Sequence, residues 1–471
     1  MFYNDSRRAA RIIFKRLKFN WLFNTSTFTG NLMLALVITY FFRNLGHGDE
    51  VDFVFFLAIL AIGLWITEAI PPFAVGIFLV AMLVFGFGSD FLFDQSTSVK
   101  MYVDTWTSNV IWLLLGGFFL AKAMSVVELD RQLLQFTVKR FGARPEKLLF
   151  GLMLTTGLAS MIMSNTATTA MMISSVVPLV IALGKDSPFS KALLVGIPAS
   201  ASLGGVGTII GSPPNAIAVG ALGEAGIHIS FVEWMAVAPP IALLLLFLFW
   251  KFLIRRFRIK MIEIDLSHFE THTNDVKPAH RRAVIFTLIL TVLLWLTEPL
   301  HGIPVAATSA VPIVLLTLTQ VLNAQDVRSL PWDTLMLVAG GLALGIALVD
   351  VGLSDLLMDR ILSWALPVVI IAAIFSLMAV MLSNIMSNTA AASILVPLSL
   401  TLPAPYGMAV PVIVAICCSS ALLLPVSTPS NAISFATGLI RQKDFYPGGL
   451  LLIGIAPPIA LAIVLLWTFL Y

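Results

Sequence analysis

Apolar runs of roughly 20 residues recur along this chain from residue 29 to its last residue, each long enough to cross a hydrocarbon core of about 30 Å. Only 11% of the residues are charged and 59% are hydrophobic, whereas a soluble protein carries about a quarter charged residues to cover its surface. The solvent for this fold is therefore lipid. The expected fold class is an all-α polytopic membrane protein.

Breaks at Pro, Gly and charge place full spans at about 28–43, 51–70, 72–89, 107–127, 191–222 and 232–254. A second set falls at about 283–300, 303–322, 332–350, 408–440 and 448–470, making about 11 transmembrane helices. Residues 1–27 form a basic N-terminal arm, 28–50 the first span and its loop, and 255–282 a polar loop between the two sets. Two apolar stretches, 148–183 and 366–402, do not fit as spans. Each is interrupted near its middle by Ser-Asn-Thr, at 164–166 and at 387–389. Split there, each gives two arms of about 15–18 residues, which at 1.5 Å per residue reach little beyond the bilayer midplane. The expectation is two re-entrant helical hairpins. Non-helical backbone at that depth is tolerable only if it is buried in protein or lines a wet cavity.

The charges favour this threading. Basic residues crowd the N-terminal arm (Arg7, Arg8, Arg11, Lys15, Arg16, Lys18) and the mid-chain loop (Arg255, Arg256, Arg258, Lys260, Lys277, Arg281, Arg282). Such runs can attract nucleic acid or anionic lipid, but beside spans they act as signals for the cytoplasmic side. No nucleic-acid partner is expected. With the N-terminus cytoplasmic, the hairpin threading leaves Arg43, Lys100 and Arg360 outside and the other 25 of the 28 lysines and arginines inside. Counting the first hairpin as one span would move the arginine-rich loop outside. The C-terminus is then extracytoplasmic, and no removable signal peptide is expected. The two cysteines, Cys417 and Cys418, are adjacent in an apolar stretch and read as packing residues rather than a disulfide or metal framework.

The two halves resemble each other in order. Leu64-Trp-Ile-Thr-Glu68 recurs as Leu294-Trp-Leu-Thr-Glu298, and Gly116-Gly117 as Gly340-Gly341. Ser160-Met-Ile-Met-Ser-Asn-Thr-Ala167 recurs as Ser383-Asn-Ile-Met-Ser-Asn-Thr-Ala390, and Pro213-Pro-Asn-Ala-Ile217 as Pro429-Ser-Asn-Ala-Ile433. Single matches of this kind are weak; four in register argue for duplication. Each repeat, 51–254 and 283–471, holds five spans and a hairpin, an odd number of crossings. The second copy is thus expected upside down. Inverted repeats with interrupted helices are an architecture of alternating-access carriers, with the site near the midplane.

Each hairpin tip offers hydroxyl and amide donors and acceptors. The return arms begin just after the tips, so their N-termini face the centre with partial positive charge. The spans 191–222 and 408–440 break at Gly/Ser/Thr/Pro runs, 204–214 and 424–430, which adds two more half-helix ends. Donors there would face an anion and freed carbonyls a cation. Small and hydroxyl residues also occur where membrane helices merely pack closely; two corresponding copies, each followed by a broken helix, favour the site. The tips and breaks carry no ionisable side chain, and His47, His228, His268, His272, His280 and His301 all fall in loops or at span ends. A proton relay or an intramembrane enzyme would need such groups, so neither is expected. A channel stays open at this point. Glu68 and Glu298 read as span-end contacts, and Lys122 as a snorkelling cation near the cytoplasmic face.

Both Ser-Asn-Thr tips, the Gly211-Ser-Pro-Pro-Asn215 break and the Ser427-Thr-Pro-Ser-Asn431 break together resemble the divalent anion/sodium symporter family of dicarboxylate, citrate and sulfate carriers. The likeness runs from about residue 50 to 470. It implies a homodimer with a scaffold domain at the dimer interface and a transport domain that moves like an elevator, in a bacterial cytoplasmic membrane. By motif, Asn165, Thr166, Asn388 and Thr389 would bind substrate carboxylates, with Ser212, Pro213, Thr428 and Pro429 lining the same pocket. A first sodium site would draw on Ser160, Asn165 and the Gly211 backbone; a second on Ser383, the Met386 backbone, Asn388 and the Ser427 backbone. Pro-Ser-Asn at 429–431 departs from the commoner Pro-Pro-Asn, which puts the second site's geometry in question. The expected activity is Na⁺-coupled symport of C4-dicarboxylates such as succinate, malate and fumarate, with Na⁺ co-transported and no organic cofactor. The alternatives are a sodium-independent dicarboxylate exchanger or a sulfate or citrate carrier of the same fold.

Overall fold

The computed structural model describes residues 24–89, 93, 98–259, 263–264, 277–425 and 427–470. The basic arm from Arg7 to Lys18 lies outside the described residues, as do Lys260, His268, His272 and most of the 255–282 loop. Every regular element among the described residues is helical. The first half runs α1 (Asn24–Arg43), α2 (Asp49–Thr67), α3 (Pro72–Phe87), α4 (Lys100–Asp104), α5 (Asn109–Val126), α6 (Leu129–Phe141), α7 (Pro145–Ser160), α8 (Asn165–Leu183), α9 (Pro188–Gly205), α10 (Pro213–Glu224) and α11 (Phe231–Phe257). The second half runs α12 (Pro278–Leu296), α13 (Glu298–His301), α14 (Val305–Thr308), α15 (Ala310–Leu318), α16 (Ala324–Arg328), α17 (Trp332–Asp350), α18 (Leu353–Leu362), α19 (Val368–Ile385), α20 (Asn388–Leu400), α21 (Tyr406–Cys418), α22 (Pro429–Ala436) and α23 (Tyr446–Leu470).

Nine helical stretches among the described residues are long and apolar enough to cross a membrane by length and composition. They include α8 and α19, of 19 and 18 residues; the four hairpin arms run from 13 to 19 residues, against the about 15–18 expected. Proline punctuates the chain as its missing N–H predicts. Pro72, Pro145, Pro188, Pro213, Pro278 and Pro429 each open a helix in the first turn, where that N–H would have no intrahelical partner. Each long stretch at 191–222 and 408–440 is two helices around a break, α9/α10 and α21/α22.

Four helices were not anticipated, the five-residue α4 and α16 and two longer ones. The connectors α6 and α18 precede the two hairpins at corresponding places, and both mix charged with apolar residues. At 13 and 10 residues they are too short and too polar for a search tuned to spans.

The repeated motifs fold alike. Trp65 Nε1 donates to Pro72 O at 3.3 Å, and Trp295 Nε1 to Ser309 Oγ at 3.2 Å, so each buried indole ties a helix end to the chain that follows its glutamate. The paired glycines permit close helix crossings in reciprocal fashion. A Cβ at Gly116 of α5 would come within 2.8 Å of Ser309 O, just before α15, and one at Gly340 of α17 would strike the Gly76 backbone of α3. In lipid, where apolar burial between helices is a weak force, such backbone contact is a principal source of packing energy. A further match emerges here: Ala238-Pro-Pro-Ile-Ala242 in the middle of α11 recurs as Ala456-Pro-Pro-Ile-Ala460 in α23. These two helices pack on each other and flank the hairpins and broken helices, α11 against α7 and α9, α23 against α19 and α21.

Candidate functional site

The first hairpin turns over four residues, from the end of α7 at Ser160 to the start of α8 at Asn165. Ser164 takes extended dihedrals (φ −66°, ψ 144°) and its side chain accepts from Ala167 N at 3.2 Å, capping the helix that returns. Ser387 repeats this for α20 (φ −65°, ψ 148°), accepting from Ala390 N at 3.2 Å. Behind each tip a serine meets the motif asparagine: Ser160 Oγ lies 2.6 Å from Asn165 Oδ1, and Ser383 Oγ 2.6 Å from Asn388 Oδ1.

The breaks are held by side chains that replace missing helical bonds. In the first, buried Asn215 donates from Nδ2 to Gly205 O at 3.0 Å, Val206 O at 3.2 Å and Thr208 O at 2.8 Å. Thr208 Oγ1 donates to Met161 O at the hairpin tip and accepts from Gly211 N at 3.0 Å, joining break to tip. In the second, Asn431 Nδ2 donates to Leu424 O at 3.0 Å and Leu422 O at 3.4 Å. Here Asn384 fastens break to tip: its Oδ1 accepts from Leu423 N at 2.8 Å and from Ser427 Oγ at 3.1 Å. Ser212 and Thr428 cap α10 and α22 in extended conformation, and the Thr428 side chain accepts from Asn431 N at 3.1 Å.

Tips and breaks meet around one cavity of about 680 Å³. All eight residues assigned by motif to substrate line it: Asn165, Thr166, Ser212, Pro213, Asn388, Thr389, Thr428 and Pro429. The N-termini of α8, α10, α20 and α22 therefore face the same volume, each carrying the positive end of a helix dipole. Ser202, which sequence reasoning passed over, and Ser430, noted there only as a departure from Pro-Pro-Asn, also line it; both are buried and their hydroxyls have no partner among the described residues. Ser430 stands where the first repeat has Pro214, so the departure from Pro-Pro-Asn adds a hydroxyl and a backbone N–H at the cavity wall.

Another part of the lining was not anticipated. It is built from α5 and the start of α17, and it contains Lys122 and Asp333. Lys122, expected as a snorkelling cation near the cytoplasmic face, also lines this cavity: its ammonium pairs with Asp326 Oδ1 at 3.5 Å and its side chain is about one-third exposed, at 32%. The partner lies far along the chain, in α16, which no local pattern reveals.

Of the residues assigned to sodium, Asn165, Gly211 and Asn388 line the cavity, while Ser160, Ser383, Met386 and Ser427 are buried behind it. The end of the Asn165 side chain sits among oxygens: Ser160 Oγ at 2.6 Å, Ala201 O at 3.0 Å and Gly211 O at 3.2 Å. With its amide oxygen turned inward, four oxygens converge without a formal charge, a donor set for a hard monovalent cation. With its nitrogen turned inward, the same atoms form three hydrogen bonds. A Cβ at Gly205 would strike Asn165 Oδ1 and lie 2.7 Å from Gly211 O, so only glycine leaves this space open. In the second copy Ser383 Oγ also donates to Cys418 O at 2.8 Å, gathering Asn388, Ser383 and that carbonyl, while the Ser427 hydroxyl is engaged with Asn384. Among the described residues no group of three or more His, Cys, Asp or Glu could hold a metal ion.

A family model described as citrate transporter matches residues 62–418. The sodium-dependent dicarboxylate transporter SdcS of Staphylococcus saprophyticus is 30% identical to this chain, over 93% of it and 91% of that protein. An uncharacterized transporter of Haemophilus influenzae is 30% identical over 84% of this chain and 87% of its own length. Among solved structures, MtrF of Neisseria gonorrhoeae superposes with a TM-score of 0.57 at 14% identity, covering 84% of this chain and 95% of that one, a likeness of fold alone. With the family match spanning both hairpins and a relative at this identity covering nearly all of both sequences, the protein belongs to the divalent anion/sodium symporter family and is a membrane transporter, not an enzyme.

Proposed function

We propose that the protein is a secondary active carrier that couples Na⁺ to the movement of C4-dicarboxylates, such as succinate, malate and fumarate, by alternating access. The observation that carries this reading is the convergence of four helix N-termini on one cavity whose hairpin side holds no charged side chain. Two carboxylates can each take a tip, Asn165-Thr166 on one side and Asn388-Thr389 on the other, with backbone N–H groups and hydroxyls as donors. The oxygen clusters behind the tips suit Na⁺, whose charge would offset that of the dianion. Bound there, Na⁺ would order the tip that the carboxylate needs, which couples the two without direct contact. More than one Na⁺ per dianion lets the membrane potential drive uptake. The names of the relatives, sodium-dependent dicarboxylate transporters, support both substrate and ion.

The cavity extends from the tips to Ser125 near the end of α5 and to Ser329 just before α17. Under the charge-based threading these are cytoplasmic ends, so this conformation would be inward-facing. The matching contacts of the two halves support an inverted repeat. The grouping of hairpins, broken helices, α11 and α23 supports a transport unit that slides against a scaffold containing α5 and α17 in a homodimer.

Radiolabelled succinate uptake into proteoliposomes under Na⁺, Li⁺ or K⁺ gradients, with and without internal dicarboxylate, tests the reading. Uptake should follow the Na⁺ gradient and need no internal substrate. Uptake that ignores Na⁺ but requires internal dicarboxylate would replace symport by exchange, and preference for citrate or sulfate over succinate would replace the substrate.

A further inference from the structure

Lys122 is the only cation in the cavity lining among the described residues, and the lining contributed by the hairpins and broken helices is neutral. Its position in α5, just before the last turn, sets the ammonium near the negative end of that helix dipole. Its one ion-pair partner among the described residues, Asp326, stands at 3.5 Å, beyond ordinary N–H···O hydrogen-bond distance. Asp326 is also committed elsewhere: its Oδ2 accepts from Asn323 N at 3.1 Å, closing the capping box of α16. The ammonium thus keeps donors for an anion in the cavity and is held near by a carboxylate that does not saturate it. Partly exposed pairs of this kind contribute little to stability, whereas the same charge beside a dianion in a confined cavity acts strongly on binding.

We propose that Lys122 captures the substrate: its ammonium swings from Asp326 to the carboxylate nearest the α5 wall when the anion enters, and returns to Asp326 when the anion leaves. No bond is made or broken beyond this exchange of ion pairs, and both carboxylates stay ionised. Asp326 is then a competitor that keeps the cation from holding the substrate too long. Asp333, exposed at the first turn of α17, is the other charged residue of this wall and disfavours anions at the mouth. Because Lys122 belongs to α5 and not to a hairpin or broken helix, its contact would last only while α5 borders the tips, so affinity would differ between the two access states.

The proposal rests on the anion-carrier reading, and the test separates the two. Full-length protein is purified as wild type, Lys122→Gln, Lys122→Arg and Asp326→Asn. Succinate-induced thermal stabilisation in Na⁺ and succinate uptake into proteoliposomes are both measured. The expected result is that Lys122→Gln weakens half-saturation by about tenfold or more, the loss of one ion pair at about 1.4 kcal/mol per factor of ten. Lys122→Arg should stay near wild type, and Asp326→Asn, which keeps a capping oxygen, should tighten half-saturation and slow turnover. An ion pair that only stabilises the fold would make Lys122→Gln and Asp326→Asn fail together, and that outcome overturns the proposal, as does unchanged affinity in both. If Lys122→Gln does not fold, the sign of the Asp326→Asn effect decides. Binding without transport in the wild type would sink the carrier reading while leaving Lys122 tested; absence of any succinate effect in the wild type would overturn both.

Discussion

Ser212 Oγ and Ser419 Oγ lie 2.9 Å apart, and both residues are buried. Ser212 caps the second half of the first broken helix, and Ser419 follows the first half of the second. The two breaks therefore touch at their most irregular points, where a membrane protein must satisfy polar groups internally. Ser212→Ala and Ser419→Ala should each lower stability modestly, and the double variant should cost less than the sum, with a coupling of about 1 kcal/mol. Additive effects on denaturation in detergent would show that the hydroxyls do not depend on each other.

Gly205 faces the oxygen cluster around Asn165. Gly205→Ala introduces a Cβ where Asn165 Oδ1 and Gly211 O already crowd. Uptake should fall to background, with Na⁺-induced protection of the first tip from proteolysis or labelling lost as well. Full Na⁺-dependent uptake by this variant would place the cation elsewhere.

The asparagines separate function from folding. Asn165→Ala and Asn388→Ala remove groups that line the cavity, so each should abolish transport in protein that still elutes as a monodisperse species. Asn215→Ala should behave differently. It deprives three carbonyls of the broken helix of their shared donor, at a cost of about 1–3 kcal/mol, so its thermal midpoint should drop before its substrate affinity does. Equal stability losses in all three would contradict this division.

Glu298 lies beyond the end of α12, and burial pushes its carboxyl above the ordinary carboxylate range, with Glu233 adding to the rise. The folded state therefore holds this proton more tightly than the unfolded chain does. The stability it contributes is present below the ordinary carboxylate pKa and is lost as pH rises through the raised value. Glu298→Gln should flatten the fall in thermal midpoint as pH rises above the ordinary carboxylate range. A variant with the wild-type pH profile would assign that dependence to other groups.

How far the sequence could be read follows from what lipid forbids. A Ser-Asn-Thr run inside an apolar stretch marks an interruption because no other solvent is available to exposed backbone, and the pairing of Pro213 with Pro429 marks the breaks for the same reason. Helices α6 and α18 escaped because their amphipathic pattern resembles any surface helix. The carbonyls of Ala201 and Cys418 escaped because every residue type has one; only the fold selects which of them turn toward Asn165 and Ser383. Lys122 was visible as a charge within a span but not as a cavity residue, since its partner Asp326 and the neighbouring lining residues Ser329 and Asp333 come from the other half of the chain.

By itself, then, the sequence determined that this protein lives in lipid, is helical, carries its main motifs twice, and interrupts itself at four neutral places. Those properties follow from local rules of chain length, hydrogen-bond satisfaction and helix capping. Only the tertiary structure decided that the four interruptions share one cavity, that Ser212 meets Ser419, and that a lysine forms part of the same lining. Such facts depend on how distant helices cross, through contacts such as Gly340 against Gly76, and no local pattern of residues encodes a crossing.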